Sequence, residues 1–127
     1  MIVSDWRVAA FVETMIGKPI HAPFTAIGRE HDGEIVAGAV FNGFQGFDME
    51  ITVAAKPGAM TRGLLRAWGE YVRDVAGCGR VSITTEQPYV KELALRLGGQ
   101  VEGLKRHAFG PDRHAWHIGI LKEEWKF

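Results

Sequence analysis

Val53–Gly77, VAAKPGAMTRGLLRAWGEYVRDVAG, and Arg80–Gly99, RVSITTEQPYVKELALRLGG, read as strand, glycine-containing turn, amphipathic helix, strand, amphipathic helix. Thr61 or a close neighbour opens the first helix. Leu64, Leu65, Trp68, Val72 and Val75 form its apolar stripe, and Gly77 ends it. Val81–Thr85 is a short β-branched strand. Pro88 suits the first position of the next helix, Val90, Leu93, Ala94 and Leu97 line one face, and Gly98-Gly99 stops it. A turn that opens a helix directly after a strand is where α/β proteins hold phosphates, because free backbone N–H groups and the helix dipole point there.

Towards the N-terminus, Ser4 or Asp5 caps a helix with Val8, Val12, Met15 and Ile16 on one face, ended at Gly17-Lys18-Pro19. Phe24–Glu30 is extended. Asp32-Gly33 is the strongest hairpin signal, since a type I′ turn needs positive φ at both central residues. Glu34–Phe41 is almost entirely small or apolar, so it is expected to be buried on both faces. Asn42–Gly46 is a second turn. From Phe47 to Ala55 the pattern alternates: Phe47, Met49, Ile51 and Val53 face one way, Asp48, Glu50 and Thr52 the other. Two final strands, Val101–Phe109 and His114–Leu121, flank Gly110-Pro111-Asp112. The expected order is α-β-β-β-α-β-α-β-β, an α/β (α+β) fold with a mixed sheet flanked by helices.

The 127 residues are expected to form one domain, 1–127, large enough for a core without staples. Fifteen Lys plus Arg balance fifteen Asp plus Glu, which disfavours a broad nucleic-acid footprint and its need for a basic excess. Cys78 is the single cysteine, so no internal disulfide forms and a reducing, cytoplasmic setting is expected. No apolar run approaches about 20 residues, so no membrane span is expected, and MIVSDWR lacks a signal-peptide pattern.

Three pieces carry a family resemblance: Ile51-Thr52-Val53 running into Thr61-Arg62-Gly63-Leu64-Leu65, then Thr85-Glu86-Gln87-Pro88 leading into Leu93–Gly99, then Val101–Arg106. In order and spacing the chain resembles the GCN5-related N-acetyltransferase (GNAT) superfamily from about Phe24 to Leu121, and within it the short GNAT-like proteins of bacteriophages. The resemblance implies acetyl-CoA as cofactor and an amine as acceptor, whether a small molecule or a protein. Strand residues Val53 and Ala55 would pair with the pantetheine arm. The loop and helix start, Lys56, Gly58, Ala59, Thr61, Arg62 and Gly63, would hold the pyrophosphate through backbone N–H groups, with Lys56 and Arg62 adding charge. Gly58 and Gly63 allow close backbone approach. The loop departs from the family: its basic position falls on Lys56, its glycines on Ala59 and Thr61. The family's tyrosine acid falls on Ala94, and the first family strand is missing or reduced to Met1–Val3.

Amide formation from a thioester needs a positioned donor, a deprotonated amine, a stabilised oxyanion and a protonated leaving group. Glu50 and Asp48 share a face of the strand leading to the loop and are the general-base candidates; a solvent-facing acidic strand is the plain alternative. Asn42 could orient substrate from its turn. Ser82, Thr84 or water would replace the missing tyrosine, with Tyr89 about a turn and a half away on the helix. Cys78 follows a helix stop and reads as a small buried residue. Of His21, His31, His107, His114 and His117, the last two stand three apart in a strand and so face opposite ways, and no partner stands at zinc spacing: no metal site is expected. His107 or His117 could line the acceptor pocket, and Trp116 or Phe44 could wall it. Trp116, Trp125 and Phe127, read as exposed, suggest a homodimer. Two other readings stand beside the acyltransferase: a GNAT-fold binding or structural module without chemistry, and a phage-type enzyme modifying nucleobases, for which the arginines would have to cluster.

Overall fold

The computed structural model describes all 127 residues. Its elements are β1 (Ile2–Val3), α1 (Trp6–Ile16), β2 (Phe24–His31), β3 (Glu34–Asn42), β4 (Asp48–Ala55), α2 (Arg62–Glu70), β5 (Arg80–Thr85), α3 (Pro88–Arg96), β6 (Gln100–Lys105) and β7 (Ala115–Leu121). The seven strands form one sheet in the order β1-β2-β3-β4-β5-β7-β6, antiparallel except for β4 and β5. The expected order of elements holds, and β1 is the short remnant at Met1–Val3.

Alternation along the strands builds two cores on opposite faces of the sheet. Val53, Ile51 and Met49 of β4 join Phe41, Trp68, Leu64, Val90, Leu93 and Ile118 in the larger core under α2 and α3. Ala54 and Val40 join Val8, Val12 and Ile16 of α1 in the smaller one. The α1 helix is capped by the Asp5 side chain, which accepts from Arg7 N–H, and ends on Gly17 at φ 73°. Met15 is exposed, and Ala9 takes its place on the buried face. The helix lies close because Gly28 and Gly38, cross-strand partners in β2 and β3, leave a hollow for Val8. A Cβ on Gly38 would stand 2.7 Å from a Val8 methyl carbon.

Three expectations need correction. Val75 is exposed, because α2 continues as a π-helical stretch over Tyr71–Val75, where Ala76 N–H donates five residues back to Tyr71. The wider turn rotates Val75 off the apolar stripe. Strand β6 ends at Lys105, four residues early, because His107 takes φ 56° and turns the chain away from β7. Trp125 is buried: after a 3₁₀ turn at Lys122–Glu124 the C-terminal tail packs across α2, the Trp125 indole fills the space left by Gly69, and Lys126 N–H donates to Leu97. The hairpin at Asp32-Gly33 has positive φ at both residues, 51° and 82°.

Candidate functional site

Strands β4 and β5 run side by side only from Asp48/Arg80 to Ile51/Ile83. Beyond that pair they part, leaving Thr52–Ala55 without a β5 neighbour. The split comes from the two chain exits: β4 continues straight into the loop before α2, while β5 bends into α3, whose first helical residue is Pro88. Residues of an antiparallel strand present N–H and C=O to the same side. The carbonyls of Val53 and Ala55 both face the gap, since side chains of the α3 segment reach them: Gln87 Nε2 donates to Val53 at 3.4 Å and Tyr89 Oη to Ala55 at 2.8 Å. The ring of Tyr89 therefore does reach the split. Burial pushes its phenol pKa up, so it stays protonated and a donor through neutral pH.

On the α2/α3 side the split opens into a cavity of about 600 Å³, lined by Ala55, Lys56, Pro57, Gly58, Met60, Tyr89, Glu92, Leu93 and Arg96. That is within the usual range for a small-molecule site. The loop bordering it turns at Gly58, φ 74°, a conformation that strains a side-chain-bearing residue. Ala59 is buried, donates to Lys56 O and accepts from Arg29 through its carbonyl. Thr61 caps α2 by accepting from Leu64 N–H at 3.2 Å. The first turn of α2 holds no acidic residue, and the exposed Arg62 and Gly63 carry its leading N–H groups. Lys56 is tied to Glu34 at 3.6 Å, and Arg62 lies over the Phe127 ring.

On the α1 side a cavity of about 110 Å³ is walled by Ile16 and Lys18 from the end of α1, Glu50 and Thr52 from β4, Thr84 from β5, Lys105 from the end of β6, and Ala108 and Phe109 from the β6–β7 connection. Four of these walls, Ile16, Thr52, Thr84 and Phe109, continue into a smaller hollow that ends at Val53 and Gln87, the edge of the split. The gap is thus approached from both faces of the sheet. Glu50 takes part in none of the chain's ion pairs.

Asp48 stands elsewhere. Its carboxylate accepts from the buried Ser82 hydroxyl at 2.9 and 3.0 Å and pairs with Arg80 at 3.4 Å, and Arg80 also holds Glu102 at 2.7 Å. The Arg80 guanidinium holds the Glu102 carboxyl below the usual range. Ser82 is consumed in this network, whereas Thr84 faces the cavity with its Oγ1 3.2 Å from His117 Nδ1. Burial raises the Cys78 thiol pKa, with the Asp48 charge adding to it, which suits an inert core residue.

Several sequence expectations move. Asn42 ends β3 rather than lying in a turn, and with Phe44 and Met49 it lines a separate cavity of about 470 Å³ near the opposite end of β4. Trp116 packs on the larger core beneath Lys91, so the aromatic wall beside Glu50 is Phe109. His114 precedes β7, and its Nδ1 accepts from His107 N–H within the hairpin. No cluster of three His, Cys, Asp or Glu side chains suits a metal ion. Lys18, Thr52 and Phe109 carried no motif, because their common position is made by three segments far apart in sequence.

No protein-family model matches the sequence, and neither does any curated protein. Solved structures do resemble the fold. Variant forms of the spermidine/spermine N-acetyltransferase SpeG from Vibrio cholerae align over 97% of this chain and 95% of theirs, with a TM-score of 0.70 and 11% identity. The spermidine N-acetyltransferase of Vibrio cholerae in complex with CoA and spermine aligns over 97% and 96%, at TM-score 0.67 and 10% identity. A probable acetyltransferase covers 80% of this chain with 63% of its own, at TM-score 0.65 and 18% identity. The fold is that of the GNAT acetyltransferases.

Proposed function

We propose that this chain is an acyl-CoA-dependent N-acyltransferase that passes an acetyl group to an amine. The observation that carries the reading is the β4–β5 split with a cavity on each face, one sized for a cofactor arm and one holding a free carboxylate. The residues fit coenzyme A: a glycine-turned loop, a helix start with N–H groups and no competing acid, and Arg96 on the rim. Acetyl-CoA would supply the activated acyl group as a thioester. Val53 and Ala55 would present their backbone to its arm, and Gly58, Thr61, Arg62 and Gly63 would receive its phosphates, with charge from Lys56 and Arg62. Buried Ala59 would shape the loop from beneath.

Glu50 is the base: it reaches the cavity from β4 and would take the amine proton, directly or through one water. Asp48 would anchor the strand through Ser82 and Arg80 instead of sharing that role. Thr84 is the hydroxyl placed to protonate the leaving sulfur, with His117 behind it, and so stands in for the tyrosine replaced by Ala94. The structurally similar spermidine enzymes make amines the first acceptor class to test. A cofactor-free module is favoured by one observation, the occupation of the Val53 and Ala55 carbonyls by Gln87 and Tyr89.

A thermal melt with coenzyme A separates the two. Ligand at about a hundred times its Kd stabilises the fold by roughly 2.7 kcal/mol, a shift of several degrees. Gly63→Asp should raise the melting temperature of the free protein slightly, since a carboxylate suits the first turn, and abolish the coenzyme A shift. No shift in the wild type at millimolar coenzyme A would leave the module as the better account. We also propose self-association through the exposed β6 edge, all six of whose residues are exposed; a monomer mass by light scattering at micromolar concentration would exclude it.

A further inference from the structure

We propose that the amine accepted beside Glu50 is a small zwitterion, an ammonium and an anion a few bonds apart, rather than a polyamine. The proposal rests on the reading of Glu50's cavity as the acceptor site. That cavity contains three unpaired charges: Glu50, Lys18 and Lys105. None of the chain's seven ion pairs uses any of them. Of the neighbouring charges, Glu86 is matched by Arg113, while Asp48 and Glu102 share the single Arg80 and keep one net negative charge outside the cavity lining. The lining itself carries one free negative charge and two free positive ones.

Each free group has a defined place. Glu50 stands on β4 beside Thr52, towards the split. Lys18 leaves the end of α1 and lies with its Nζ 4.9 Å from the centre of the Phe109 ring, which holds the ammonium at the cavity wall. Lys105 is the last residue of β6 and lines the same cavity. At about 110 Å³ the cavity accommodates a compact head group. An ammonium at Glu50 shares its cavity with two cations. A carboxylate, phosphonate or phosphate there is attracted; a second ammonium is repelled. The smaller hollow beyond Thr52 and Thr84 adds no carboxylate except the Arg113-bound Glu86.

The test uses the full chain and four probes of matched length: β-alanine, 2-aminoethylphosphonate, 1,3-diaminopropane and propylamine. NMR titration without coenzyme A reads binding alone. β-Alanine and 2-aminoethylphosphonate should shift the side-chain signals of Lys18, Lys105 and Glu50 at concentrations about tenfold lower than the diamine requires, and Lys18→Glu with Lys105→Glu should reverse that order. Thiol release from acetyl-CoA should rank the same four amines in the same order. Equal or tighter binding of the diamine, or no response of the three residues to either zwitterion, overturns the proposal. Binding of the zwitterions with neither thiol release nor a coenzyme A melting shift sustains the cavity's selectivity and sinks the acyltransferase reading instead.

Discussion

Tyr89 Oη donates to the Ala55 carbonyl at 2.8 Å, spanning the gap where β4 and β5 part. With Gln87 on Val53 it satisfies backbone groups that a parallel strand would otherwise pair. A bound arm that used those carbonyls would have to displace it.

Tyr89→Phe should therefore tighten coenzyme A roughly two- to tenfold. One net hydrogen bond of about 0.5–1.5 kcal/mol no longer has to be broken. Calorimetric titration of the two proteins checks this. Weaker binding by the variant would mean that the phenol itself contacts the cofactor.

Glu50 and Asp48 should separate cleanly. Glu50→Gln should leave the melting temperature and the coenzyme A shift unchanged while slowing transfer by about 10²- to 10⁴-fold, the usual span for a general base. Asp48→Ala should instead lose about 1–3 kcal/mol of stability, because the buried Ser82 hydroxyl loses its acceptor. Melts and steady-state rates on both variants suffice. Equal rate losses at unchanged stability would put Asp48 back beside Glu50 in the chemistry.

Gly38→Ala should destabilise by about 1–3 kcal/mol through overpacking, since the new methyl would stand 2.7 Å from a Val8 methyl carbon and 3.4 Å from one of Val12. Because α1 carries Ile16 and Lys18 to the α1-side cavity, acceptor binding should weaken along with stability. Adding Val8→Ala should restore much of the loss, which denaturant unfolding of the double variant would show.

The Arg80–Glu102 pair predicts a shallow acid dependence. Glu102 has its folded-state pKa depressed by Arg80, so it binds a proton less readily folded than unfolded. Its contribution is complete above the unfolded value near 4.3 and is lost as pH falls through the lower folded value. Wild type should exceed Glu102→Gln by under about 1 kcal/mol at neutral pH, the pair being solvent-exposed, and the difference should vanish towards pH 2–3. Denaturant melts across that range measure it.

The sequence by itself determined the order of elements, the two-faced pattern of β4, the Asp32-Gly33 turn and the helix start at Thr61. Each is set by neighbours along the chain: side-chain alternation, glycine at positive φ, and a hydroxyl three residues before the N–H it caps. It also placed Glu50 and Asp48 on one strand face. Only the tertiary structure distinguished them, because the partners of Asp48 lie at least thirty residues away: Arg80 pairs with it and Ser82 donates to it, whereas Glu50 has no ion-pair or side-chain hydrogen-bond partner. The same holds for the phase change at Tyr71–Val75, the burial of Trp125 under α2, and the meeting of Lys18, Lys105 and Phe109 at one wall. Local rules fix what a segment becomes; which segments share a cavity follows from sheet pairing and helix docking, long-range contacts that no single window of sequence contains.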